Sequence, residues 1–373
     1  MIMSRRFKIL LTMMVLSVFI GSSTIHAQVL QDSTCLKLIK KDIDCTYNMQ
    51  FTTAHETLLK IMKMYPGHPA GYLLRGLLTY WSNYPLQYDT PARVSLEEDL
   101  HQSIRLSGKN KNPEYEAEFL LINLCSRGML LKFYDDNKLT MAVIPLATST
   151  YKYLMHSFDL TDACTDLNYY AGAYNYLREA YPKIYPVYKP LSLLFPSGNL
   201  ENGIKELNIA ARNALVMRAE SYILLSIIYI NFENKYQQAI NYNKLLHELY
   251  PENALYLAIY IKNLLLMKYY NEAEKLIVTS LKEAKNKFFL AQLLIFKGIL
   301  QEKKYHDLNL AEQCYKSGIN RIFPFGVYGN ECAAYAYFGL SRISNLKDDK
   351  YNGKMFREKA LRMAAYKKIN FDN

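Results

Sequence analysis

Apolar, small and polar residues recur along this chain at a spacing suited to helical hairpins rather than strands. Tyr236-Gln-Gln-Ala239 and Tyr270-Asn-Glu-Ala273 each place an aromatic residue three positions before an alanine, and the two alanines stand 34 residues apart. Phe51-Thr-Thr-Ala54 repeats the local pattern. Pro66 follows Ala54 by twelve residues, Pro251 follows Ala239 by twelve, and Gly76 lies ten beyond Pro66 with Tyr72 four before it. A period of this length predicts stacked helix-turn-helix units, each burying its apolar face only against its neighbours. Looser copies are marked by Gly298 with Ala311 and Tyr315, and by Gly339 with Ala360. In between, Pro113–Tyr134 and Leu139–Met155 predict a helix pair whose second member bends at Pro145, and Leu160–Tyr181 with Asn199–Leu215 predict another. The sum is about eight hairpins, or ~16 helices, in one all-α solenoid over residues 28–373. A compact bundle would show even helix lengths and no such period.

These residues resemble the tetratricopeptide repeat, with its aromatic and small positions in the first helix, an alanine in the second and a proline at the end. Small residues at fixed turns let two helices approach closely, and the proline stops the second helix because it cannot continue the hydrogen-bond ladder. The resemblance covers residues 48–80 and 218–285, with Ile261, Lys285 and Asn243 standing where the repeat has a small residue, a proline and an aromatic. It implies a right-handed superhelix whose first helices line an inner groove for a protein or peptide partner. The groove positions fall on Leu73, Leu77, Tyr80 and Trp81, on Ile223, Ile227 and Ile230, and on Leu255, Ala258, Lys262, Leu265 and Leu266. The Lys, Asn and Arg clamp that holds a terminal carboxylate in one subgroup is missing here. The implied groove is therefore greasy, and either takes an apolar or aromatic segment or is filled by the chain itself.

Two insertions interrupt the repeats. Ser82 to Arg93 carries Tyr84, Pro85, Tyr88 and Pro91, and Tyr181 to Gly198 carries four prolines and four aromatics, among them Tyr185, Tyr188 and Phe195. The second is stiff and apolar rather than a flexible linker. It is expected to pack as a plug against the inner face, with contact to a partner or to a membrane surface as its alternative role. Around it, Gly172-Ala-Tyr-Asn-Tyr176 and Gly203-Ile-Lys-Glu-Leu207 look similar to a subgroup of exported bacterial repeat proteins, a likeness that adds no activity.

The first residues change the picture of where the chain works. Arg5, Arg6 and Lys8 precede an apolar run from Ile9 to Ile20, and Ile25-His26-Ala27 offers a cleavage site before Gln28. This is the layout of a secretory signal, with a run shorter than the ~20 residues a membrane span needs. The expectation is a signal peptide over residues 1–27 and a soluble, periplasmic or extracellular chain. Removing three basic and no acidic residues takes the net charge from +11 to +8. Export argues against a nucleic-acid partner, and the mild basic concentration from Lys354 to Lys368 reads as a solvated helix face. The six cysteines form no CxxC pair; Cys35 and Cys45 share one expected helix, Cys314 and Cys332 are the one pair worth testing, and small buried hydrophobes are the default for all.

Motifs for chemistry are missing from the chain. His55-Glu56 and His247-Glu248 begin like HExxH, but Leu59 and Pro251 occupy the positions of the second histidine, so no two imidazoles share a zinc. No nucleophile elbow, Walker-type loop or dinucleotide-binding turn is found; Gly326-Val-Tyr-Gly329 reads as a turn between helices and Asp348-Asp349 as part of a charged loop. The expectation is a non-enzymatic scaffold without catalytic residues, cofactor or metal, binding a protein or peptide in the bacterial periplasm or cell envelope. A structural part of an envelope assembly and a carbohydrate-active enzyme with carboxylates in the groove are the alternatives.

Overall fold

The structure is a computed structural model that describes residues 29–30, 32–186, 189, 195–366, 368–369 and 371–372. The expected signal peptide and Tyr188 lie outside the described residues. Hairpin one comprises α1 (Ser33–Tyr47) and α2 (Phe51–Met64), hairpin two α3 (Pro69–Ser82) and α4 (Ala92–Ser107), hairpin three α5 (Glu116–Asp136) and α6 (Thr140–Ser157). Hairpin four comprises α7 (Asn168–Ile184) and α8 (Leu200–Asn213), hairpin five α9 (Arg218–Ile227) and α10 (Tyr236–Leu249), hairpin six α11 (Ala254–Leu266) and α12 (Tyr270–Glu283). Hairpins seven and eight are α13 (Lys287–Leu300) with α14 (Leu308–Ile322) and α15 (Asn330–Leu346) with α16 (Lys350–Met363). No strand occurs among the described residues. Helices pack in chain order, and first helices also touch one another, α1 on α3, α3 on α5, α11 on α13 and α13 on α15, which makes them the inner layer of an α-solenoid.

Local chemistry starts and stops these helices. Asp32, Asn253, Asn286 and Asp307 accept hydrogen bonds from the first free N–H groups of α1, α11, α13 and α14, groups that no intrahelical carbonyl can reach. Six of the eight turns inside hairpins share one left-handed residue, Met49, Lys138, Asn234, Lys268, His306 or Asp348, with φ between 54° and 60°. After four of them the next N–H returns to the carbonyl five residues back, as Gln50 to Cys45 (2.8 Å) and Tyr269 to Leu264 (2.9 Å). That closure occupies carbonyls left open at the helix end. Helices α9 and α13 run on into five-residue π segments, Ile228–Phe232 and Gln301–Tyr305. There the closing bond spans six residues, from Lys235 to Tyr229 (2.7 Å) and from Asp307 to Gln301 (3.0 Å). One extra residue has been absorbed as a bulge while the turn beyond it is kept. The two hairpins without the left-handed residue, two and four, are those that carry the insertions.

Alanines at the helix contacts are fully buried, among them Ala54, Ala239, Ala273, Ala311 and Ala360. In hairpin four the approach is closer still. A Cβ on Gly172 would sit 2.8 Å from the Leu207 nitrogen, and one on Gly203 2.7 Å from the Tyr176 nitrogen, so the two backbones cross where only glycine fits. This gives the Gly172 and Gly203 stretches a packing reason. All six cysteines are unpaired, Cys314 and Cys332 included.

The solenoid closes on itself. Tyr47 at the end of α1 meets Tyr250 (5.5 Å between ring centroids), and Trp81 of α3 meets Tyr256 of α11 edge-on at 5.7 Å. Polar bonds tie the same seam: the Asn253 side chain donates to the Tyr47 carbonyl (2.7 Å) and the Glu252 N–H to the Asn48 side chain (3.0 Å). Further round, the Tyr328 hydroxyl donates to the Leu86 carbonyl (2.8 Å) and the Gln87 side chain to the Pro324 carbonyl (3.1 Å). Hairpins one and two thus rest on hairpins five to eight. Tyr328 is delivered by Phe323–Gly329, a 3₁₀ segment between helices broken at Gly326, whose φ is 55°.

One buried acid stands out in the closed half. Asp42 of α1 is fully buried, neither carboxylate oxygen has a hydrogen-bond partner, and burial pushes its pKa up to about 8. Thr46, one turn on, is equally buried and its hydroxyl is unpartnered.

Candidate inner cavity between hairpins five and eight

The inner helices of hairpins five to eight do not meet fully. Between them lies a cavity of about 220 Å³. Its walls are aliphatic and aromatic, with Ile223, Ile227 and Ile230 from hairpin five, Leu255, Ala258 and Ile259 from α11, and Phe288 and Phe296 from α13. The π segment after α9 helps to shape this wall, because it carries Ile230 and Asn231 past the point where the helix would otherwise have turned. Tyr84, from the first insertion, reaches across from hairpin two, stacks on Trp81 at 5.6 Å and meets Tyr328 at 5.9 Å. The C-terminal tail supplies Tyr366, and Phe371 packs edge-on against Tyr335 at 5.2 Å.

The polar groups of the cavity are few. Lys262 of α11 and Glu331 of α15 form an ion pair at 3.3 Å, and the Tyr335 hydroxyl donates to the same Glu331 oxygen. Burial raises the Glu331 carboxyl, but the Lys262 charge and the hydrogen bonds from Tyr335 and Lys262 outweigh it and hold the group below the usual carboxylate range. Burial, reinforced by Glu331, pushes the Cys332 thiol up to about 12, so it stays protonated at neutral pH. The Gln292 side chain donates to that sulfur at 3.6 Å. Ser226 and Asn231 also line the cavity; they are 1 % and 9 % exposed, and Ser226 Oγ and Asn231 Oδ1 have no hydrogen-bond partner.

The residues named from the repeat frame divide into two groups. Ile223, Ile227, Ile230, Leu255, Ala258 and Lys262 line the cavity. Leu73, Leu77, Tyr80 and Trp81 are buried in the core that joins hairpins one to three to hairpins five and six, and Leu265 is buried in the core of hairpins five to eight. These five do not line the cavity: closure of the solenoid covers Leu73, Leu77, Tyr80 and Trp81, and Leu265 packs within the core of hairpins five to eight.

The described ends of Tyr181–Gly198 lie in two different places. The Tyr185 hydroxyl donates to the Ala365 carbonyl and its ring lies 6.4 Å from Tyr366, at the tail that borders the cavity. Phe195 turns away, packing on Tyr151 of α6 at 4.8 Å, while the Arg178 guanidinium donates to its carbonyl at 3.0 Å. The inner face is filled by the other insertion, through Tyr84 and the fully buried Leu86. Sequence reasoning missed Ser226, Asn231, Phe288, Tyr328 and Tyr366. The apolar members carry no signal beyond ordinary core spacing, whereas a serine and an asparagine among isoleucines in Ser226-Ile-Ile-Tyr-Ile-Asn231 were a readable anomaly.

A second cavity, about 200 Å³, sits at the seam of hairpins one and five among Lys40, Asp44, Asn48 and Arg218. Among the described residues no group of three or more His, Cys, Asp or Glu could hold a metal ion, and no helix is long and apolar enough to cross a membrane. No protein-family model and no curated protein matches the chain.

Proposed function

We propose that this chain is an exported, tetratricopeptide-like scaffold that binds a protein or peptide partner by taking one apolar side chain into the cavity between hairpins five and eight. The observation that carries this reading is the wall itself: four isoleucines, a leucine and two phenylalanines around a space of about 220 Å³. An apolar cavity of ~150 Å³ already accepts a benzene ring. The space therefore suits one leucine- or phenylalanine-sized group and is too small for a longer segment. Export rests on Arg5, Arg6 and Lys8 ahead of the apolar run, and a periplasmic or extracellular partner follows from it.

Trp81 is the single tryptophan and stacks on Tyr84, which lines the cavity, so its fluorescence reports on occupancy. Titration with leucine- and phenylalanine-containing tripeptides should change Trp81 emission, and triglycine should not. Ile227→Phe, which fills the space, should abolish the response while circular dichroism stays that of a helical protein. An unaltered titration in that variant would move the partner site elsewhere.

A further inference from the structure

We infer that the cavity selects an uncharged ligand whose apolar body carries an N–H donor, as a leucine-like residue with its backbone amide does. The inference rests on the binding reading above and adds the chemistry of the ligand's polar end. It starts from Ser226. A buried helical serine ordinarily returns its hydroxyl to the carbonyl four residues back, as Ser221 does to Met217 (2.7 Å) and Ser126 to Ile122 (2.8 Å). Ser226 is as buried as they are, makes no such bond, and stands in the cavity wall. Asn231 completes the pair. Its Oδ1 has no hydrogen-bond partner, and a side-chain carbonyl oxygen can only accept. Two buried oxygens left without partners are costly unless something supplies hydrogen.

Charge narrows the class further. Lys262 and Glu331 neutralise each other at 3.3 Å, and among the described residues no other Asp, Glu, Lys or Arg lines the cavity. A ligand ammonium or carboxylate would have to break that pair to find a counter-charge. A neutral amide meets no such obstacle: its N–H serves Asn231 Oδ1 or Ser226 Oγ, and its aliphatic part occupies the isoleucine wall.

The test compares three probes by Trp81 fluorescence and by calorimetry: N-acetyl-leucinamide, the matching ester without N–H groups, and 3-methylbutylamine. The amide should bind about tenfold more tightly than the ester, and the amine no better than the ester. Ser226→Ala and Asn231→Leu should each weaken the amide about fivefold to tenfold and leave the ester unchanged, which also verifies that each variant keeps its cavity. Equal binding of amide and ester, or amide binding insensitive to both substitutions, would overturn the donor inference while leaving the apolar-anchor reading in place. Tightest binding by the amine would overturn the neutral-ligand assignment. Failure of all three probes to bind would remove both readings together, whereas a crystal structure soaked with the amide in which only ordered waters meet Ser226 Oγ and Asn231 Oδ1 would overturn the donor inference alone.

Discussion

Hairpins one to three and hairpins five to eight present equivalent inner-helix positions to opposite fates. Trp81 and Ile227 both stand on the inner face of a first helix, yet Trp81 is enclosed by Tyr47, Tyr84 and Tyr256, whereas Ile227 faces an empty space. Two pairs of buried polar groups show the same contrast. Asp42 and Thr46 are unpartnered inside close packing, and Ser226 and Asn231 are unpartnered beside a cavity. The difference teaches that a repeat frame assigns a residue to a face, while the path of the whole solenoid decides whether that face meets a ligand or another part of the chain.

The sharpest way to break the comparison is to remove a side chain from each half. Trp81→Ala should cost about 3–5 kcal/mol, the range for emptying a large buried aromatic site. Ile227→Ala, which deepens a space already present, should cost roughly 1 kcal/mol because little packing is lost. Paired denaturant titrations check this, and similar losses would mean that the cavity half is as tightly packed as the closed half.

A pH series separates the two kinds of buried polar group. The Asp42 pKa rises from 3.8 to about 8 on folding. Between those values the folded state keeps a proton that the unfolded chain has released, so stability from this group is fullest below the lower value and falls as pH rises toward the upper one. The slope is on the order of 1.4 kcal/mol per pH unit. Asp42→Asn should therefore flatten the stability profile between about pH 4 and 8 and raise the melting temperature at pH 7. Ser226→Ala should raise stability slightly and equally at every pH. A D42N profile parallel to that of the parent protein would mean that the carboxyl finds a partner in solution.

The smallest effect concerns the cavity rim. Tyr185→Ser removes a contact with the tail that carries Tyr366 and should modestly increase binding of an apolar fluorescent dye, whereas Phe195→Ser, on the α6 side, should leave dye binding unchanged. An increase from Phe195→Ser would place the insertion over the cavity after all.

The hairpin succession was legible because it is local: Ala239 and Ala273, and Pro66 and Pro251, act on neighbours within one or two helices. Closure was not, since it sums small rotations over eight units and brings Tyr47 to Tyr250 and Leu86 to Tyr328, partners more than 200 residues apart. The π segments were hidden for another reason. A single extra residue in α9 or α13 leaves composition and apolar spacing almost untouched, yet it re-aims Asn231 and Glu302. Glu302 now accepts from Arg342 (2.6 Å) and from Tyr315 (2.6 Å), and Arg342 also reaches Asp372 in the tail (2.8 Å). The tail that borders the cavity is thus anchored by a residue whose placement depends on a bulge.

Closure also changes how the chain comes apart. An open repeat array is coupled only between nearest neighbours, so it frays from its ends and can lose hairpins singly. Here the Tyr47 to Tyr250 and Leu86 to Tyr328 contacts remove the free inner surface of the first hairpins, so their loss would uncover the middle of the array as well. The terminal units should then exchange amide hydrogens on nearly the same timescale as hairpins five and six, in one cooperative opening. The cost is kinetic: contacts of such sequence separation raise the contact order and slow the search for the native state. The molecule behaves less like a spring than like a clasped bracelet, firm when fastened and slow to fasten.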